Sequence, residues 1–283
     1  MQRYKIIHRT YYNFTSEVTL GPHSLRLRPR EDHELRIESL NLKISPNAEV
    51  LWHRDVEDNS VAIATFAQFT RQLSIESELV IQQYLENPLD FLVAEYAVTY
   101  PFSYQAEDLV LLLPYMAAPE QAIAAELKHW IDGIWQHGEP IQTYTLLQRL
   151  TAAINKNMTY QVREAPGVQS AGKTLKQGTG SCRDFAQLLI AAARHLGLAA
   201  RFVTGYLHAP LLDAAGATHA WAEIYLPGAG WKGFDPTIGR IVGRDHIPVA
   251  VARLPGSVPP VAGTFTGNAN AQLDVGVWIS ECV

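Results

Sequence analysis

Gly178-Thr179-Gly180-Ser181-Cys182-Arg183-Asp184-Phe185 sets a loop directly against the start of a helix. Ser181 and Asp184 stand at capping-box spacing, where the two side chains reciprocally satisfy the unpaired N–H groups of a first turn. Phe185, Leu188, Leu189, Ala192 and Leu196 then recur at helical spacing and Gly197 closes the segment, so Cys182 is expected at the first helical position. A thiol there faces free backbone N–H groups and the positive end of the helix dipole, which favour its nucleophilic, ionised form. The plain alternative is a small thiol packed at a helix end.

A nucleophilic thiol needs a base, and downstream the chain reads His219-Ala220-Trp221-Ala222-Glu223-Ile224-Tyr225-Leu226 after an expected strand over 201–207 and a loop ending in Gly216-Ala217-Thr218. With the two-residue period of a strand, His219, Trp221, Glu223 and Tyr225 share one face, and Ala220, Ala222, Ile224 and Leu226 pack the other. Pro227-Gly228-Ala229-Gly230 turns the chain, and Trp231-Lys232-Gly233-Phe234-Asp235 returns antiparallel until Pro236. Pairing Leu226 with Trp231 would set Asp235 across from Ala222, on the wrong face. A one-residue bulge in the turn, which Gly228 and Gly230 permit, sets it opposite Trp221 and diagonal to His219. From there its carboxylate would accept a hydrogen bond from one ring nitrogen, fix the tautomer and leave the other nitrogen for the thiol. Singly, a histidine heading a strand is commonly a core residue and an Asp before Pro a turn former; the three together point to chemistry. His246, beyond the Asp-Pro turn, fits no such geometry and is set aside as a rival base.

The rest of the chain reads as an α+β protein. Its 283 residues can bury a core without disulfides, and a formal net charge of -5 with 18% charged residues argues against nucleic-acid and anionic-membrane partners. Two cysteines, Cys182 and Cys282, rule out a disulfide framework and paired metal-ligand spacing; Cys282 reads as a packed or frayed terminal residue. No metal or other cofactor is expected. The opening residues lack a signal-like apolar stretch and the longest apolar run, Leu109 to Leu113, is too short for a bilayer, so the expectation is a cytoplasmic protein. Alternating runs around Leu25, Leu35 and Val61 predict an antiparallel β-sandwich over 1–86. Residues 87–118, with Pro88, Pro101 and Pro114, read as a connection, and 119–283 as the catalytic core with C-terminal strands. Within that core one helix is predicted to open at Pro119 and close at Gly138, and a second to open at Pro140 with Leu147, Leu150 and Ile154 on its buried side.

The order Cys182, His219, Asp235, within Gly180-Ser181-Cys182-Arg183-Asp184-Phe185-Ala186, His219-Ala220-Trp221-Ala222-Glu223 and Gly230-Trp231-Lys232-Gly233-Phe234-Asp235-Pro236-Thr237, closely resembles the bacterial transglutaminase-like proteins. Gly21-Pro22-His23 and the Leu25–Arg30 stretch resemble the β-sandwich commonly found ahead of that core. The resemblance implies a papain-like core and acyl transfer through a thioester, with Cys182 as nucleophile, His219 as base and Asp235 as the orienting residue. It implies hydrolysis of a peptide or protein amide, with protein-glutamine acyl transfer as the alternative and a non-catalytic peptide-binding module as the reading from another class. The Cys182 N–H is the natural oxyanion donor, Gln161, Gln177 and Tyr160 are candidates for a second, and Trp221 and Trp231 are expected to wall the site. No acidic loop suggests the calcium dependence of some animal relatives, and oligomeric state is left open.

Overall fold

In the computed structural model, which describes residues 1–117, 123–163, 165, 167–208 and 218–282, Tyr4, Ile6, His8 and Thr10 are buried while their neighbours stay partly exposed. That two-residue alternation runs through a 24-residue strand, β1 (Gln2–Leu25). Four more strands follow, β2 (Leu35–Ser45), β3 (Ala48–Arg54), β4 (Ser60–Phe66) and β5 (Phe69–Gln83). β1 is long enough to serve different partners at its two ends: its first half pairs with β5, and near Leu25 it pairs with β4. The register breaks between Asn13 and Val18 mark where the strand bends.

Beyond β5 the chain forms β6 (Thr99–Tyr100), α1 (Ala106–Leu112), α2 (Ala124–Asp132), β7 (Ile141–Gln142) and α3 (Thr143–Asn157). The stretch expected to be a plain connection thus carries a helix. Pro119 lies outside the described residues, α2 is capped by Gly133 instead of running to Gly138, and Pro140 precedes β7 rather than opening α3. The reason is a tertiary bridge: Ile141 pairs with Tyr100, and Thr143 donates from its hydroxyl to Ala97 O at 2.6 Å, so the helix starts only after that anchor.

The core continues with β8 (Thr159–Tyr160), α4 (Ala171–Gln177), β9 (Thr179–Gly180) and α5 (Cys182–His195), where Cys182 takes the first helical position and Gly197 follows the helix with φ 76°. Then come β10 (Ala200–Leu207), β11 (His219–Leu226), β12 (Gly230–Asp235), β13 (Arg240–Ile241) and β14 (His246–Ala252). They form an antiparallel sheet in the order β13-β12-β11-β10-β14. α5 lies on one face of it: Phe185, Leu188 and Leu189 share a core with Ala220, Ala222, Ile224 and Phe234. The last strands, β15 (Val261–Thr266) and β16 (Ala271–Glu281), return to the free side of β1. Among the described residues seven strands therefore make one antiparallel N-terminal sheet, nearly closed into a barrel.

The two sheets are held together by shared packing and by backbone bonds. Tyr206, Ile247 and Val249 of the second sheet are buried with Tyr4, Ile6, Leu79 and Val277 of the first. The wholly buried Asn59 side chain bonds both the N–H and the C=O of Val251, each at 2.8 Å, as a neighbouring strand would. Among the described residues no helix is long and apolar enough to cross a membrane.

Candidate active site

At the start of α5, Asp184 does more than cap. Its Oδ2 accepts from the Ser181 N–H and hydroxyl, both at 2.9 Å, and from Arg163 Nε at 3.0 Å, while Oδ1 accepts from the Gln169 N–H at 2.7 Å. Burial works against its charge, yet these donors outweigh it and hold the carboxyl below its usual range. The result fixes the loop before Cys182 and the first turn of the helix as one unit. Cys182 itself is only 7% exposed.

The β11–β12 hairpin resolves the register question. Leu226 pairs with Gly230 and Ala222 with Phe234, so a three-residue turn, with Gly228 at φ 82° and Gly230 at φ 75°, supplies the one-residue shift that the chemistry requires. No break is needed inside the strands. His219, first on β11, and Asp235, last on β12, consequently meet, with Nε2 donating to Asp235 Oδ2 at 2.7 Å. Asp235 is fully buried, and its Oδ1 accepts from the Thr237 N–H at 2.8 Å. With Nε2 engaged, Nδ1 is the nitrogen left for the thiol.

The charges are coupled. Burial disfavours an imidazolium at His219, but the bond to Asp235 and the proximity of the Cys182 sulfur outweigh that and push it up to about 10. Burial likewise opposes the Asp235 carboxylate, and the bonds from His219 and His246 hold it far below its usual range.

His246 is the residue that sequence reasoning set aside. The structure places it 2% exposed with Nε2 3.0 Å from the same Asp235 Oδ2, and its ring meets Trp221 edge-on with centroids 5.2 Å apart. The signal was a bulge. Thr204 pairs with Ala250 but Gly205 pairs with Pro248, so one extra residue in β14 turns His246 onto the Trp221 face of the sheet. Gly205 and Pro248, two residues that interrupt strands, were the available marks of it. His219, Asp235 and His246 bring their donor atoms within 4.8 Å of one another. Two imidazoles and a carboxylate are a set that a transition metal accepts, but the 2.7 and 3.0 Å separations are hydrogen-bond lengths that one ring proton apiece accounts for.

The other expected site residues separate. Tyr160 pairs in parallel with Gly180, beside the approach to Cys182, and remains 49% exposed. Burial, and then the proximity of Cys182, raise its phenol pKa and keep it a proton donor. Gln161 uses its backbone N–H on Gly180 O at 2.9 Å and is exposed, and Gln177 ends α4 exposed as well. The tryptophans lie on the sheet face that carries His219. Trp221 is 1% exposed behind the histidines, packed with Val203 and Val251. Trp231, at the far end of the hairpin, stacks under the Arg201 guanidinium at 4.3 Å. Both line a cavity of about 210 Å³ between the two sheets, with Arg201, Glu223, Gln83 and His246. Strand alternation sets both rings on the face that His219 shares, Trp221 next to it and Trp231 toward the turn of the hairpin.

Residues 133–236 match the model of the transglutaminase-like superfamily, and residues 4–82 match that of the bacterial transglutaminase-like N-terminal region. An uncharacterised Mycobacterium tuberculosis protein is 28% identical over 292 residues, spanning 97% of this chain and 91% of its own. An uncharacterised Mycobacterium leprae protein is 37% identical over 122 residues, 41% of this chain and 43% of that one. The crystal structure of a candidate cysteine protease from Cytophaga hutchinsonii superposes with a TM-score of 0.74 at 18% identity, covering 99% of this chain and 90% of that one, and so shares its fold. With the core and the N-terminal sheet both matched, the chain belongs to the transglutaminase-like superfamily.

Proposed function

We propose that the protein hydrolyses an amide or peptide bond through a thioester on Cys182. The observation that carries this reading is the buried Asp235 carboxylate bonded at 2.7 Å to His219, whose ring in turn interacts with the Cys182 sulfur. A buried carboxylate on a histidine that also reaches a thiol at a helix start is the arrangement that activates a cysteine.

In this mechanism the Cys182 thiolate attacks the carbonyl carbon and the carbonyl π electrons move to oxygen. The Cys182 backbone N–H and the Tyr160 hydroxyl donate to that oxyanion. As the intermediate collapses, the C–N bond breaks and the His219 imidazolium gives its proton to the leaving amine. Water then attacks the thioester, His219 takes its proton, and the C–S bond breaks to release a carboxylic acid and restore the thiolate–imidazolium pair. Asp235 stays ionised throughout, holding the ring and balancing its charge.

The test is to incubate the protein with a mixed peptide pool, with and without excess primary amine, and to follow Cys182 by mass spectrometry. A trapped acyl group on Cys182 together with free acid products is the expected result, and Cys182→Ala and His219→Ala each abolish turnover while remaining folded. Full activity in Cys182→Ala overturns the reading, and amide products with little free acid turn it toward acyl transfer to amines.

A further inference from the structure

We propose that His246 is a positioning residue for the hydrolysis, the second imidazole donor on Asp235, which pins the carboxylate oxygen that orients His219. The inference rests on the proposed function for its kinetic meaning but on separate geometry for its bonding. His246 Nδ1 accepts from the Gly243 N–H at 3.3 Å, so the ring proton belongs on Nε2. Nε2 in turn points at Asp235 Oδ2 at 3.0 Å. The ring is therefore anchored at both nitrogens, one by backbone and one by the carboxylate, and it is 2% exposed and packed at a right angle to Trp221.

The reach of this side chain is built into the sheet. His246 sits on β14, which β10 separates from β11, and pairs with Leu207. Gly205 on β10 leaves open the space that the Trp221 ring and the bulged backbone of β14 use: a Cβ there would lie 2.2 Å from Ile247 O and 2.7 Å from the Trp221 ring. Without the bulge at Val249, Ile247 would occupy the Trp221 face and His246 would point toward α5. Three departures from a regular strand, Gly205, the bulge and Pro248, converge on the placement of one imidazole.

A carboxylate whose Oδ2 is held by His219 alone can follow that ring as it tilts, even with Oδ1 held elsewhere. With Thr237 N–H on Oδ1 and His246 on Oδ2, Asp235 is fixed at both oxygens, and the ring of His219 is aimed by a rigid acceptor. His246→Leu removes the donor and fills its space, whereas His246→Gln keeps an amide N–H near the place of Nε2.

The experiment measures kcat and KM for both variants alongside melting temperature, and records long-range proton–nitrogen NMR spectra of the wild-type imidazoles. The expected result is a kcat for His246→Leu lower by about tenfold or more at a KM within about twofold, with His246→Gln recovering most of the loss. In the spectra His246 is the Nε2–H tautomer with a slowly exchanging proton. Unchanged kcat in His246→Leu overturns the proposal, as do equal losses in the two variants at unchanged melting temperature. Should the wild type turn over nothing, the proposed function fails, and the spectra still decide the bonding: an Nδ1–H tautomer at His246 overturns it.

Discussion

Asp235 keeps its charge in full burial because donors reach both of its oxygens: His219 and His246 on one and the Thr237 N–H on the other. This couples stability to pH with a definite sign. His219 rises from its ordinary 6.5 to about 10 on folding, so the stabilisation from its protonated form is complete below about 6.5 and is lost as pH climbs through about 10. Asp235 falls below its ordinary 3.8, so its contribution is present above that value and fades as pH drops toward the depressed folded value. Asp235→Asn removes the partner of a buried cation, and we expect it to cost about 3 kcal/mol at pH 7, less above pH 10 where His219 no longer holds its extra proton. Urea unfolding at the two pH values checks this. Turnover falls in the same variant, because an asparagine amide no longer holds the ring in the same tautomer.

At the scale of elements, α5 is anchored at its first turn more firmly than a capped helix end ordinarily is. A side-chain cap is worth about 1 kcal/mol, and the Ser181–Asp184 spacing promises that much. The structure adds Arg163 and the Gln169 N–H to the same carboxylate, tying the segment before α4 to the helix that begins at Cys182. Asp184→Ala leaves a half-buried guanidinium and a buried N–H without their acceptor, and the expected cost is about 3 kcal/mol in equilibrium unfolding. A loss near 1 kcal/mol would mean that the loop finds other partners. Since the carboxyl is held below its usual range, the stabilisation is present at neutral pH and declines as the solution is acidified.

For the molecule as a whole, the N-terminal sheet supports the edge strand of the sheet that carries His219 and Asp235. Asn59 bonds Val251 at both backbone atoms, and the Arg30 N–H donates to Pro248 O at 2.9 Å, so β14, which carries His246, is gripped along its outer side. Asn59→Ala leaves two buried backbone groups unpaired and should destabilise by about 2 to 4 kcal/mol. Activity measured well below the melting transition should fall more than in a surface variant of equal stability, because the strand that moves is the one behind Asp235. What the amino-acid order determined by itself is local: the helix beginning at Cys182, the strand headed by His219, the glycine turn that returns Asp235, and with them the family. Those signals survive in sequence because capping, alternation and turn chemistry act over a few residues. What only the tertiary structure decided is non-local: the helix inside 87–118, the delayed start of α3, the return of β15 and β16 to β1, the packing of Trp221 against the two histidines, and above all His246. Its place depends on a bulge in β14, two strands from His219 and opposite the Gly205 that pairs with His219, and strand registers of that kind are set by packing across the sheet, which no short stretch of residues encodes.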